Sequence, residues 1–148
     1  MNHRFGTNGD LDLLAEWNHQ LIQDEGHRNA MSVPQLRERM KGWLEAEYKA
    51  VIFDVGPAPV AYALCREDAE EIHLRQLFVK REDRRQGIGR EAVEILQEQI
   101  WSPDKRLTVE VLTANAPAVA FWRSVGFRDY CLTLEIVPNR IDSNAKKS

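Results

Sequence analysis

Residues 71–100 read as a strand, a charged loop and a helix in direct succession. Glu71–Val79 alternates, with Ile72, Leu74, Gln76 and Phe78 on one face and His73, Arg75, Leu77 and Val79 on the other. That period of two is the pattern of a half-buried strand. Lys80–Gln86 follows as a charged loop. Gly87-Ile88-Gly89 then opens a helix whose positions Ile88, Ala92, Ile95, Leu96, Gln99 and Ile100 recur at helical spacing until Pro103 ends it. Glycines at such a junction let the backbone come close to a ligand, and the first-turn N–H groups point out of the helix end. Lys80, Arg81, Arg84, Arg85 and Arg90 surround that end, diluted by Glu82 and Asp83. Together with the helix dipole, this suits phosphate or pyrophosphate. On the glycines alone, a plain helix cap beside a solvated loop is an equal reading.

The flanking sequence places this unit in a larger sheet. Asp10 caps a first helix over 10–25, with Leu11, Leu14, Asn18 and Leu21 on a face widened by Leu13, Trp17 and Ile22. Ser32, with Gln35 three residues on as in a capping box, opens a second helix carrying Leu36, Met40, Trp43 and Leu44. Tyr48–Val55 and Val60–Arg66 read as strands joined by a turn at Gly56-Pro57-Ala58-Pro59. Leu107–Leu112 is a further strand. Asn115–Val125 is a short helix stopped by Gly126, and Phe127–Val137 returns as β structure. The order is α-α-β-β-β-α-β-α-β, an α/β (α+β) fold with a mixed central sheet flanked by helices. A chain of 148 residues makes one domain over 1–148, with 138–148 a loose tail.

Composition excludes several classes. Lys+Arg is 20 against Asp+Glu 23, a net charge of −3, which argues against coating nucleic acid by bulk charge. The Lys80–Arg90 loop also lacks the interleaved aromatics of a nucleic-acid platform. No apolar run is long enough to span a membrane, and MNHRFGTNGD carries no apolar leader segment, so a cytoplasmic protein is expected. Cys65 and Cys131 are expected as free thiols. No close pair among His3, His19, His27 and His73 suggests a metal site.

Two phosphate readings compete at the glycine loop. Gly87-Ile88-Gly89-Arg90-Glu91-Ala92 fits the dinucleotide fingerprint, with Glu110 about 20 residues on. The long loop after the strand, the position past mid-chain and the short sequence after Leu112 weigh against it. The other reading is a family resemblance. Leu77-Phe78-Val79 followed by Arg84-x-x-Gly87-x-Gly89 resembles motif A of the GNAT N-acetyltransferase superfamily, Q/R-x-x-G-x-G/A. Asn115-x-x-Ala118-x-x-Phe121-Trp122-x-x-x-Gly126-Phe127 resembles the family's motif B region, and the element order agrees.

The resemblance implies acetyl-CoA as co-substrate, no metal, and transfer of its acetyl group to a primary amine of a small molecule or peptide by direct attack in a ternary complex. It implies that Leu77, Phe78 and Val79 pair with the pantetheine arm, and that Arg84, Arg85, Gln86, Gly87, Ile88, Gly89 and Arg90 cradle the pyrophosphate. Asn115 would hydrogen-bond the pantetheine arm and Ala118 would line the cofactor beside it, while Trp122 packs against the cofactor or the core. The family's usual acid is a Tyr four residues before Gly-Phe; Trp122 stands there, and an indole N–H is no useful proton source at neutral pH. Tyr130 is the alternative acid. Counting back 14 residues from Gly87, where some relatives place a catalytic Glu, gives His73, with Glu71 a second candidate base. A structural hydrogen bond is the alternative role for His73. Trp17, Glu25, His27 and Asn29 are the candidate acceptor-binding residues, a core tryptophan and a solvated loop being their alternative. A homodimer is compatible with the family. The runner-up function is a catalytically silent acyl-CoA-binding module.

Overall fold

The structure is a computed structural model and describes residues 1–139. Five strands form one sheet in the order β1-β2-β3-β4-β5: β1 Asn2–Phe5, β2 Tyr48–Val55, β3 Ala58–Glu67, β4 Glu71–Val79 and β5 Arg106–Val109. The first four pair antiparallel, and β5 joins β4 in parallel. Four helices cover the sheet: α1 Leu11–Glu25, α2 Val33–Glu45, α3 Ile88–Ile95 and α4 Ala116–Ser124. A π-helical turn, Leu96–Ile100, extends α3, and Trp101 N–H closes it on the Leu96 carbonyl. The mixed sheet flanked by helices agrees with the expected fold class.

Local chemistry sets these boundaries. Ser32 accepts from Gln35 N–H while Gln35 Oε1 accepts from Ser32 N–H, the reciprocal box that starts α2. Gly26 ends α1 at φ 69°, a left-handed conformation that glycine adopts without steric cost. Asn115 Oδ1 accepts from Ala118 N–H and caps α4. The β2–β3 turn is shorter than expected: Val55 already faces Ala58, leaving Gly56-Pro57 as the loop.

The sheet separates two cores. Leu11, Leu14, Trp17, Leu21 and Met40 pack on one face against Ile52, Tyr62, Leu64 and Phe78. Ala92, Val93, Ile95, Leu96 and Trp122 pack on the other against Phe53, Ala63, Ile72 and Leu74, with Leu77 and Val79 alongside. This division corrects the simple alternation expected along β4. Gln76 pairs with Leu64 and Leu74 with Cys65, so Arg75 is the extra residue of a β-bulge. Past it the faces exchange: Ile72, Leu74, Leu77 and Val79 serve the α3/α4 core, while Gln76 and Phe78 turn to α1.

Two further expectations change at the ends. β1 is an added strand, four largely polar residues without an alternating signature, held by the edge of β2. Phe127–Val137 forms no strand, although alternation there predicts one; among the described residues no strand pairs with it. The loose tail expected at 138–148 lies, from residue 140 on, outside the described residues.

Candidate active site

β4 and β5 part company halfway along β4. Their register runs from Glu71↔Arg106 to Leu74↔Val109 and stops. β4 continues to Val79, still bonded to β3 through Gln76↔Leu64 and Ala61↔Val79. The opposite edge of Arg75–Val79 therefore has no strand partner among the described residues. The bulge at Arg75 coincides with this parting, and a bulge bends its strand away from a neighbour. The result is a split lined by backbone groups, suited to an extended amide-bearing ligand.

The loop after β4 closes the wide end of the split. Arg85 at φ 64° and Gly87 at φ 79° turn the chain sharply. The first intrahelical bond of α3 runs from Glu91 N–H to the Gly87 carbonyl, so the N–H groups of Ile88, Gly89 and Arg90 precede the helical ladder. A Cβ on Gly89 would stand 3.3 Å from Phe121 Cζ, so glycine here lets α3 approach α4. Arg90 reaches Ser124 Oγ at 3.0 Å. Arg85 and Gln86 are exposed, and Ile88 half-buried.

Arg84 points back into the protein. Its Nε donates to the Val79 carbonyl at 2.7 Å, and Nη2 donates to Asp24 Oδ2 at 2.7 Å. Arg81 Nη2 donates to Asp24 Oδ1 at 2.8 Å. Partial burial pushes the Asp24 carboxyl up, but the bonds from Arg81 and Arg84 outweigh it and hold the group below the usual carboxylate range. Asp24 thus ties the end of α1 to the glycine loop.

His73 sits one register step before the split. Its Nδ1 lies 2.9 Å from Thr108 Oγ1, and Nε2 lies 3.7 Å from Glu110 Oε1. Burial lowers its pKa; Glu110 opposes that shift, while Arg66 and Arg75 add to it. The ring is therefore neutral at pH 7, the form that accepts a proton. Glu71 accepts from Arg106 Nη1 at 2.8 Å, and the Arg106 guanidinium lies 4.4 Å from the Tyr130 ring centre. Glu71, Arg106 and Tyr130 thus meet at the paired end of the strands, away from the split. Tyr130 is 84% exposed and stands on irregular chain, not on the strand expected for it.

The other candidates divide between core and loop. Trp122 is buried, edge-on to Phe121 and Phe127. Ala118 is half-buried against the same core. Asn115 spends its carbonyl on the α4 cap and keeps its amide N–H groups for donation. Trp17 is a core residue, stacked 6.1 Å from Tyr62 and 5.5 Å from Phe78. Glu25 lies 3.4 Å from His27, and buried Asn29 accepts from Met31 N–H, so these three shape the α1–α2 loop.

A buried polar chain lies under the split that sequence reading assigned only to packing. Tyr62 OH donates to Gln76 Oε1 at 2.8 Å, and Gln76 Nε2 donates to Asn18 Oδ1 at 3.1 Å. The signal was Asn18 itself, a polar residue on the apolar face of α1. Among the described residues, no group of His, Cys, Asp or Glu is placed to hold a metal ion, and no helix is long and apolar enough to cross a membrane.

Comparison with known proteins bears on this geometry. A family model for the acetyltransferase (GNAT) domain matches residues 14–141. A search of curated sequences gives no match. Among solved structures, a possible acetyltransferase from Clostridium difficile 630 superposes with a TM-score of 0.77 at 19% identity, covering 93% of this chain and 98% of that one. An aminoglycoside 6'-N-acetyltransferase from Acinetobacter haemolyticus does so at 0.72 and 16%, covering 96% and 100%. A predicted acetyltransferase from Clostridium acetobutylicum, solved with acetyl-CoA, does so at 0.70 and 15%, covering 91% and 94%.

Proposed function

The chain belongs to the GNAT acetyltransferase family, and from that premise we propose that it moves the acetyl group of acetyl-CoA to a primary amine of a small molecule or peptide, by direct attack in a ternary complex. The observation that carries this reading is the split. The β4 edge from Arg75 to Val79, bonded to β3 on one side and without a strand partner on the other among the described residues, leads from the bulge to a glycine loop with outward N–H groups. These residues fit a ligand with amides at one end and a diphosphate at the other. Leu77 and Val79 offer main-chain groups to the amides, Asn115 offers its side-chain N–H, and residues 85–90 offer N–H groups and charge to the diphosphate.

In the reaction a C–N bond forms, the thioester C–S bond breaks with its electron pair leaving on sulfur as the coenzyme A thiolate, and the attacking amine gives up a proton. Neutral His73, beside the start of the split, accepts that proton directly or through water. Thr108 and Glu110 fix the ring. Backbone donors of β4 near the bulge orient the carbonyl and stabilise its developing charge.

Binding without transfer is the second reading, supported by buried Trp122 at the place where the family's usual Tyr acid stands. A thiol-release assay with acetyl-CoA and a panel of polyamines, aminoglycosides, amino acids, arylamines and peptides separates the two. Amine-dependent release with an N-acetylated product is expected. Saturable coenzyme A binding with no release from any amine contradicts transfer.

A further inference from the structure

Gln76 is a polar side chain in an apolar place. It is 3% exposed on β4, between the bulge at Arg75 and buried Phe78. Tyr62 OH on β3 donates to its Oε1 at 2.8 Å, and its Nε2 donates to Asn18 Oδ1 on α1 at 3.1 Å. Tyr62 and Asn18 are both fully buried, and the Tyr62 ring stacks on Trp17. Apolar side chains would fill this space with no polar atom to satisfy. Stability alone therefore gives little reason for the chain of hydroxyl and amides, whereas specificity does.

The specificity concerns strand register. Sequence alternation runs unbroken through β4 and suits a strand without a bulge. In that register Leu74 stays opposite Cys65, but residue 76 falls opposite Ala63 instead of Leu64. Gln76 and Phe78 would then face the α3/α4 core, among Ala63, Ala92, Leu96 and Trp122, away from Tyr62 and Asn18. Leu77 and Val79 would turn toward α1. The one-residue slip also exchanges the strand edges, because the N–H and C=O groups of successive residues point to opposite sides. Main-chain groups now turned to the split would turn to β3, and those of their neighbours would replace them. Leu77, Phe78 and Val79 can pack in either core. The Gln76 amide meets Tyr62 and Asn18 in the bulged register alone.

We propose that Gln76 is a positioning residue: clamped by Tyr62 and Asn18, it selects the bulged register of β4 and so sets which backbone groups line the split for the cofactor. Its effect on binding rests on the acetyl-CoA reading; its effect on register does not.

The test compares the unaltered chain with Gln76→Leu and Tyr62→Phe by two measurements. Cross-strand NMR contacts of residue 76 in the free protein report the register, and calorimetry reports coenzyme A binding. The unaltered chain is expected to hold residue 76 opposite Leu64. In Gln76→Leu, contacts to Ala63 are expected to appear and coenzyme A to bind at least ~10-fold more weakly. Its melting temperature is expected to stay level or rise, since leucine suits both cores. A merely structural glutamine predicts the reverse, a lower melting temperature with the register intact. Tyr62→Phe removes one oxygen and is expected to move both readings the same way by less; it decides the matter if Gln76→Leu fails to fold. Residue 76 held opposite Leu64 alone in every variant that folds overturns the proposal, whatever the affinity. A shifted register with unchanged coenzyme A affinity overturns its link to the split. If the unaltered chain binds no coenzyme A, the acetyl-CoA reading fails, and the contacts of residue 76 still decide whether Gln76 sets the register.

Discussion

At the scale of single residues, the proposed chemistry turns on His73. Its ring is held by Thr108 at 2.9 Å and faces Glu110 at 3.7 Å, and burial keeps it neutral at a lower pH than an ordinary imidazole. Only the neutral ring accepts a proton, so activity rises with pH through a pKa below the usual ~6.5. The prediction is a kcat/KM profile with an acidic limb that His73→Ala abolishes, along with most of the rate. A limb that survives in His73→Ala assigns the proton to another group. The family resemblance, counted back 14 residues from Gly87, points to this histidine. Its partners, Thr108 and Glu110, were not legible, because they depend on the parallel β4–β5 register rather than on sequence near His73. Trp122 shows the converse: sequence motifs gave its place, and packing against Phe121 and Phe127 gives its role as core.

At the scale of elements, the glycine loop depends on α1. Asp24 binds both Arg81 and Arg84, and Arg84 in turn holds the Val79 carbonyl. Losing a charge at Asp24 leaves two guanidiniums free to move beside the outward N–H groups. Asp24→Asn is therefore expected to raise KM for acetyl-CoA several-fold in steady-state assays while kcat changes little. An unchanged KM contradicts the positioning role. In the sequence both arginines belong to the positive charge around the helix end, and Arg84 is expected to bind the cofactor. Arg84 is instead largely committed inward, a role that a partner 60 residues away decides. β4 tells a similar story. Its bounds, Glu71–Val79, were readable from alternation, but the bulge at Arg75 was not, since period two runs unbroken through it. The extra residue becomes visible only against β3, and it sends Arg75 toward Trp43.

At the scale of the whole molecule, one segment is unlike the rest. Tyr130, Leu132, Leu134 and Ile136 are exposed at 84%, 65%, 84% and 98%, at alternate positions of a segment with no regular secondary structure. The Arg28–Glu135 and Arg123–Asp129 ion pairs tether it, but exposed pairs contribute only about 0–1 kcal/mol each. Burying a large apolar side chain contributes about 1.5–3 kcal/mol. The strand pattern lacks a partner here: among the described residues the sheet ends at β5. Among the described residues this apolar segment and the outer edge of β5 have no strand partner, and a two-fold exchange with a second copy would satisfy both together. Sedimentation at micromolar concentration is expected to show a dimer that Leu134→Asp dissociates, with Cys131 thiol labelling faster in the variant. A monomeric unaltered chain rejects this.

The split between β4 and β5 is the proposed seat of acetyl-CoA, and a crystal structure with coenzyme A tests that directly. The expected result is pantetheine amides bonded to the β4 backbone at Leu77–Val79, diphosphate on the N–H groups of residues 85–90, and the thiol beside the bulge at Arg75. Coenzyme A bound elsewhere, with the β4 edge unused, would contradict it.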